Sequence, residues 1–185
     1  MIFTHDTEHA LGAVVDLINT GPTAGEAEQL PDVAALRAYV DRNLISGVPE
    51  LTSADVAAVQ RLRAAFHDVF AAADITTTVS LINRIVGAAR TTPHLTDHDG
   101  HDWHVHFFGP GARIAEQLST ECGMALAFVV AARELDRLRI CEAPDCSRVL
   151  VDLSRNRCRR YCDSRTCGNR MHVAAYRARQ REAIA

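Results

Sequence analysis

The sequence contains no lysine, so all 20 of its basic residues are arginine. A compositional bias of the genome would produce the same absence, and by itself it excludes no function. The distribution of charge is more informative. Residues 1–138, called the body here, contain 9 arginines and 18 acidic residues, whereas residues 139–185 contain 11 arginines and 5 acidic residues. The net charge of −3 therefore combines an acidic body with a basic C-terminal part.

Long apolar runs and export signals are also absent. No apolar stretch approaches the roughly 18 residues that a transmembrane helix needs. Residues 1–6 have neither the basic start nor the apolar segment of a signal peptide. These absences predict a cytoplasmic protein that does not span a membrane. Hydrophobic residues make up 48% of the chain, which predicts a packed core rather than disorder.

Motifs of the common enzyme classes are missing as well. The sequence has no glycine-rich phosphate loop and no nucleophile elbow, and no histidine can be assigned as a partner of Cys122. A catalytic role is therefore not expected. An obvious helix-turn-helix and an RNA-binding aromatic motif are absent too. One alternative is a small-molecule binder or enzyme with a purely structural C-terminal module, which a deep polar pocket in the body would favour.

Cysteines, by contrast, are concentrated near the C-terminus. Cys141 and Cys146 form one pair, and Cys162 and Cys167 form a second pair after 15 intervening residues. Two close pairs suit a tetrahedral ion, and four thiolates leave no open position, so the spacing predicts one structural Zn²⁺. Free thiols, a disulfide and an iron–sulfur cluster are the alternatives. Cys158 lies outside this spacing and is interpreted as a free thiol, and Cys122 as a core residue.

The hydrophobic pattern predicts a mainly α protein (α+β), with an α-helical N-terminal domain that includes a small β-hairpin. Helices are expected over about 6–19, 32–45, 53–72, 75–89, 111–138 and 169–182, and hairpin strands over 92–96 and 103–107. In the hairpin, the alternation predicts that Trp103 and Val105 are buried and that the histidines between them are solvated.

The cysteine-rich segment predicts a separate small module, so the expected domains are 1–138 and 139–185. The stretch from Arg148 to Tyr161 alternates enough to form a short hairpin between the two cysteine pairs. The second pair would lead into the last helix. This order of knuckle, hairpin, knuckle and helix resembles a treble-clef finger.

The C-terminal motifs also resemble a known family. Cys167-Gly168-Asn169-Arg170 is the signature of CGNR zinc fingers, and the stretches 151–156 and 159–162 are similar to that family's pattern. Two positions depart from it: Cys158, where a small polar residue is expected, and Tyr161, where tryptophan is common. In the body, the stretch 16–20 and the segment from Leu51 into the helix at 61–63 resemble the ABATE domain that usually precedes this finger.

The resemblance implies a bacterial transcription regulator, of a kind often described as stress-linked, with a DNA-binding finger. Arginine is suited to phosphate because its guanidinium binds in a bidentate fashion. On the last helix, Arg170, Arg177 and Arg181 fall within an arc of about 40°. The predicted nucleic-acid contacts are Arg155, Arg157, Arg159, Arg160, Arg170, Arg177 and Arg181. Docking of the finger on an acidic protein and a purely structural basic tail are the alternatives.

Polar residues of the body suggest two further sites. Asp16 and Asn19 lie at i and i+3 on one helix, where they would anchor a small effector or serve the helix end and a neighbouring helix instead. Nine histidines include His5 and His9 at i and i+4, and His104 and His106 on one strand face. Together with His94, His98 and His101 they suggest a second metal site. The alternative is that these histidines are solvated and bind no metal. The sequence does not determine the oligomeric state, and a homodimer is among the states it allows.

Overall fold

The computed structural model describes residues 3–22, 27–97 and 103–182, which fold into six α-helices and two small antiparallel sheets. The helices are α1 His5–Asn19, α2 Val33–Arg42, α3 Ser53–Ala71, α4 Ile75–Ala88, α5 Ile114–Ala131 and α6 Asn169–Glu182. The strands are β1 Thr91–Thr96, β2 His104–Phe108, β3 Leu138–Ile140 and β4 Val149–Val151. The predicted mainly α architecture with a small β element is confirmed.

Side-chain caps explain where the predicted helices begin. At the start of α3, the Thr52 N–H donates to the Asp55 carboxylate at 2.8 Å, which forms the predicted capping box. At the start of α4, Asp74 accepts from the Thr77 N–H at 2.9 Å. The Thr78 hydroxyl donates to the Asp74 carbonyl at 2.9 Å. A run of threonines therefore begins a helix here because two of them bond to its capping residue.

The main core lies between the helices of the body. Its fully buried side chains come chiefly from three helices: Leu11, Val14 and Leu17 of α1; Val59 and Phe66 of α3; Ile114, Leu126 and Val129 of α5. Among the described helices, α5 alone is long and apolar enough to cross a membrane. A core helix of a globular protein meets the same criterion, and the buried face of α5 is part of this core.

The helix predicted over 111–138 is wrong beyond Ala131, where α5 ends. The chain turns because Arg133 adopts a left-handed backbone with φ of 59°. The N–H groups of Arg133 and Glu134 close the helix end on the carbonyls of Val130 and Val129. A short 3₁₀ turn, Leu135–Arg137, then leads into β3.

The hairpin predicted within 148–161 is also wrong, because β4 pairs with β3 instead. Leu138 lies opposite Val151 and Ile140 opposite Val149, so the hairpin encloses the first cysteine pair. Val149 and Val151 belong to the body's core, which places β4 against α1. The finger is therefore packed on the body through its own hairpin.

The β1–β2 hairpin forms as predicted, but with the opposite face buried. Trp103 and Val105 are 70% and 41% exposed, whereas the His106 side chain is 17% exposed. The reason lies on α5, where Glu121 accepts from the Phe107 N–H at 2.9 Å and pairs with His106 Nδ1 at 3.0 Å. A polar strand face can be covered when the facing helix supplies a carboxylate for it.

Candidate metal centre and nucleic-acid interface

The four predicted cysteines converge in one place. Cys141 follows β3 directly, and Cys146 lies in the loop that leads to β4. The Cys141 N–H donates to the Arg148 carbonyl at 2.8 Å and the Cys146 N–H to the Ala143 carbonyl at 3.2 Å, so this loop folds as a knuckle. Cys162 precedes, and Cys167 lies within, the π-helical turn Ser164–Gly168 that leads into α6.

The spacing of the sulfur atoms fits one tetrahedral ion. The four Sγ atoms all lie within 4.8 Å of one another, and Cys146 Sγ is 3.8 Å from Cys162 Sγ. Zinc–sulfur bonds of about 2.3 Å place tetrahedral ligands about 3.8 Å apart. Four thiolates close the coordination sphere, so the ion stabilises the fold and has no open position for a substrate.

Electrostatics at the site couple zinc binding to thiol ionisation. Burial raises the pKa of the Cys162 thiol, and the neighbouring sulfurs raise it further. Burial opposes ionisation of Cys141 too, yet its pKa lies below the usual value because backbone N–H groups, including that of Cys162 at 3.4 Å, donate to its sulfur. Zn²⁺ replaces the thiol protons, so its affinity depends on pH.

Polar groups around the cysteines hold the second knuckle in shape. Asp163 accepts from the N–H groups of Arg165 and Thr166 at 2.8 and 2.7 Å. These bonds hold the pKa of Asp163 below its usual range. Arg170, the arginine of the Cys-Gly-Asn-Arg motif, reaches Cys167 Sγ at 3.9 Å. Its positive charge offsets part of the negative charge of four thiolates on one Zn²⁺.

Sequence reasoning missed a second organising residue, Asp152. This carboxylate is fully buried and accepts from the N–H groups of Ser154 at 2.9 Å and Arg159 at 2.8 Å, while Arg139 lies 3.6 Å away. Burial raises its pKa, but these bonds and the Arg139 charge outweigh burial and lower it. Asp152 therefore holds the turn formed by residues 152–159 in shape. Its position within the stretch 151–156, which is similar to the family pattern, could have identified it from the sequence.

Four of the seven predicted DNA-contact arginines contact the finger itself or the body. Arg157 pairs with Glu134 at 2.8 Å, and Arg160 pairs with Glu142 at 2.6 Å. Arg159 donates to the Cys162 carbonyl at 2.5 Å. Arg170 contacts Cys167, as described above. These contacts reduce the freedom of the four side chains to follow a phosphate backbone.

The other three arginines point into solvent. Arg155, Arg177 and Arg181 are exposed, and none has a hydrogen-bond or ion-pair partner within 3–22, 27–97 and 103–182. None of the residues of α6, all of which are described, is buried. The helix therefore extends from the zinc centre with its arginine face uncovered.

The two predicted effector anchors make contacts within the protein. Asp16 accepts from Arg42 Nη2 at 2.8 Å and Asn43 Nδ2 at 2.7 Å. The Asn19 amide donates to the Val149 carbonyl at 3.0 Å and accepts from its N–H at 2.9 Å. Asn19 also lines a cavity of about 300 Å³ beside Arg63. Their role as effector ligands stays a prediction.

The predicted histidine pairs lie on a larger cavity of the body. His5, His9, His104 and His106 line a space of about 600 Å³, and the His94 ring contacts the His106 ring. His98 and His101 lie outside the described residues. In the described part of the chain, only the four cysteines form a group of three or more metal-binding side chains with mutually close donor atoms.

Comparison with protein families gives two adjacent matches. A model of the CGNR zinc finger matches residues 137–180. The ABATE model, described as "Putative stress-induced transcription regulator", matches residues 11–135, which is more than half of the chain. The chain belongs to the ABATE family. No curated protein matches it.

The ABATE body is thus followed by a CGNR zinc finger, and Cys141, Cys146, Cys162 and Cys167 form its site for one Zn²⁺. Both matched families are of the regulator or zinc-finger type rather than enzymes. Family membership confirms the resemblance that the sequence motifs carried, and the sulfur geometry gives it a physical basis.

Proposed function

We propose that the protein is a cytoplasmic, bacterial, stress-linked transcription regulator. Its finger, residues 139–185, binds DNA, and its body, residues 1–138, senses an effector or mediates association, including formation of a homodimer. Zinc holds the finger in a DNA-binding shape and carries out no chemistry. The chain has no catalytic role in this function.

The exposed arginine face of α6 carries this proposal. The helix begins two residues after a zinc ligand, so zinc fixes its direction relative to the hairpin. Arg177 and Arg181 lie one turn apart on the same face, with Arg170 two turns before Arg177. Guanidinium groups spaced along one helix face suit phosphates that follow a groove.

The charge distribution supports the same orientation. Residues 139–185 contain 11 arginines and 5 acidic residues, while the body has an excess of acidic residues. A duplex therefore attracts the finger and repels the body. Arg155, exposed at the turn after β4, extends the basic surface beyond α6.

A cavity in the body supports effector sensing. It measures about 600 Å³, within the range of small-ligand sites, and is lined by apolar residues such as Val40 and Leu118 together with histidines. Contact between body and finger offers a route for coupling, because Glu134 of the body pairs with Arg157 of the finger at 2.8 Å.

The alternative function is docking of the finger on an acidic protein. Val173 and Tyr176 of α6 are 40% and 57% exposed and lie beside the arginine face. Exposed aromatic and apolar side chains next to arginine are typical of protein interfaces.

Two cysteine variants test the proposal. Cys162→Ser removes a zinc ligand, whereas Cys158→Ser changes an exposed thiol outside the metal centre and is the matched control. Gel shifts with genomic fragments are run on both variants and on the unmodified protein, with zinc content measured in each. We expect Cys158→Ser to retain one zinc per chain and to bind DNA normally, and Cys162→Ser to lose both.

Circular dichroism shows whether the helical body remains folded in Cys162→Ser. Normal DNA binding by Cys162→Ser without zinc would contradict the finger as the DNA contact. Failure of the unmodified, zinc-loaded protein to shift any fragment at low salt, together with capture of an acidic protein, would favour the alternative.

A further inference from the structure

The cavity of about 600 Å³ in the body has a concentration of histidines on its walls. It lies between the start of α1, the end of α2 and the strand β2 with its supporting helix α5. Polar groups on its walls include His5, His9, His104, His106, Gln117 and Glu121. None of them belongs to the cysteine site.

His104 and His106 are already spaced as metal ligands. As residues i and i+2 of β2 they project from the same face of the strand. Their Nε2 atoms lie 3.3 Å apart. Metal–nitrogen bonds of about 2.0–2.1 Å at a tetrahedral angle place two ligand nitrogens about 3.3 Å apart. An ion can therefore bind between these nitrogens without a change in their separation, by replacing the proton they share.

Glu121 orients His106 for this role. Its Oε1 lies 3.0 Å from His106 Nδ1 and also accepts from the Phe107 N–H at 2.9 Å, so the carboxylate is fixed to the strand. A carboxylate that holds the Nδ1 proton directs the Nε2 lone pair of the ring away from itself. Histidine ligands in metalloproteins are commonly held in this way, and the carboxylate increases their basicity.

Two further imidazoles line the cavity from α1. His5 and His9 lie one helical turn apart, with their rings parallel within 7° and their centroids 6.4 Å apart. Histidines at i and i+4 on a helix can bind one ion together. Both side chains are exposed, so packing places little constraint on their rotamers, and His5 would exchange its contact with Asp6 Oδ1 at 3.6 Å for the ion.

Gln117 adds a polar acceptor to the wall. Its amide nitrogen donates to the carbonyls of Ala112 at 3.0 Å and Gly47 at 3.3 Å, which fixes the orientation of the amide. Its Oε1 is then a buried acceptor without a donor, the one such side-chain atom among the described residues. An occupant that brings an O–H donor, such as a metal-bound water, would satisfy it.

We propose that this cavity is a second metal site, in which His104 and His106 bind a divalent transition ion and His5 and His9 supply further nitrogen ligands. Imidazole donors favour Zn²⁺, Ni²⁺, Cu²⁺ and Co²⁺ over Mg²⁺ or Ca²⁺. The inference rests on the effector-sensing part of the proposed function, since it names the chemical class of the effector. Binding of the ion itself requires no DNA.

Calorimetric titration with Ni²⁺ tests the site on the full-length protein after its cysteine site has been filled with zinc. We expect one further equivalent of Ni²⁺ to bind. His104→Ala/His106→Ala should bind at least tenfold more weakly, and His5→Ala/His9→Ala should also bind more weakly. Glu121→Gln should weaken binding about tenfold, because the oriented charge is lost. The matched control is His172→Ala, an exposed histidine on α6.

Absence of saturable Ni²⁺ binding, or unchanged affinity in His104→Ala/His106→Ala, would overturn the proposal. Unchanged affinity in His5→Ala/His9→Ala would remove α1 from the site. Because these substitutions could unfold the hairpin, the unmodified protein gives a second test. Substoichiometric Ni²⁺ should broaden the ring proton resonances of His104 and His106 by its paramagnetism. Broadening of the His172 ring alone would overturn the assignment.

The DNA assay on the same samples separates the two proposals. Lack of Ni²⁺ binding with normal DNA binding would refute the metal site and leave the finger's function intact. Ni²⁺ binding without DNA binding would refute the finger's function and support the site.

Discussion

Substitution of Asn19 by alanine tests whether the finger is anchored to the body. The Asn19 amide makes two hydrogen bonds with the backbone of Val149, at 3.0 and 2.9 Å. Each contributes about 0.5–1.5 kcal/mol net, and a buried backbone group left without a partner costs about 1–3 kcal/mol. Val149 is fully buried, so water does not replace the amide without rearrangement of β4. We therefore expect Asn19→Ala to lower the free energy of unfolding by about 2–4 kcal/mol.

Urea unfolding of the zinc-loaded protein, followed by far-ultraviolet circular dichroism, measures this loss. The matched control is Asn83→Ala, an exposed asparagine of α4, which should change stability by less than about 0.5 kcal/mol. If Asn19→Ala were no more destabilising than Asn83→Ala, the Asn19–Val149 contact would contribute nothing to the free energy of unfolding and would not anchor the finger to the body.

Two further predictions concern the body. Burial opposes ionisation of Asp55, but its bonds to Arg113 and Thr52 hold its pKa below the usual value. The stability that this carboxylate contributes is complete above its ordinary pKa and is lost as the pH falls below about 4. The urea midpoint should therefore fall on acidification less steeply in Asp55→Asn; equal steepness would contradict the assignment. Gly123→Ala should destabilise by about 1–3 kcal/mol, since its Cβ would lie 2.6 Å from a methyl of Val86. Gly12→Ala, in α1 with open space around it, should stabilise by about 0.5–1 kcal/mol, and thermal unfolding of both variants checks the contrast.

The helices of the body could be predicted because their signals are local. Thr52 with Asp55, and Asp74 with Thr77, make their capping bonds within one turn, so the sequence alone contains both partners. The end of α5 could not be predicted in this way. The strand that follows it is stabilised by β4, and its ends pair with residues 9 to 13 positions later, which no helical period reports.

The orientation of the β1–β2 hairpin shows a related limit. Alternation along β2 predicts that its residues face two different sides, but it does not say which side is covered. Glu121 decides this, because it binds both the His106 ring and the backbone of Phe107 from α5. Burial of the polar face is thus set by a residue on another element.

The metal centre was readable from cysteine spacing, whereas the DNA surface was only partly so. Charge counting treats all arginines alike. The structure separates Arg177 and Arg181, which point into solvent, from Arg157 and Arg160, which pair with Glu134 and Glu142. Glu134 lies more than 20 positions before its partner, so composition alone does not show the pairing.

The salt dependence of DNA affinity shows whether the arginine face of α6 binds the phosphate backbone. Fluorescence anisotropy with a labelled genomic duplex gives Kd over a range of salt concentrations for the zinc-loaded protein. Arg177→Ala/Arg181→Ala removes two charges from the exposed face of α6, and Arg61→Ala/Arg84→Ala removes two exposed charges from helices of the body. We expect the α6 variant to bind more weakly, with a log–log salt slope shallower by about 2, and the body variant to behave like the unmodified protein. An unchanged slope in the α6 variant would contradict the claim that this helix binds the DNA backbone.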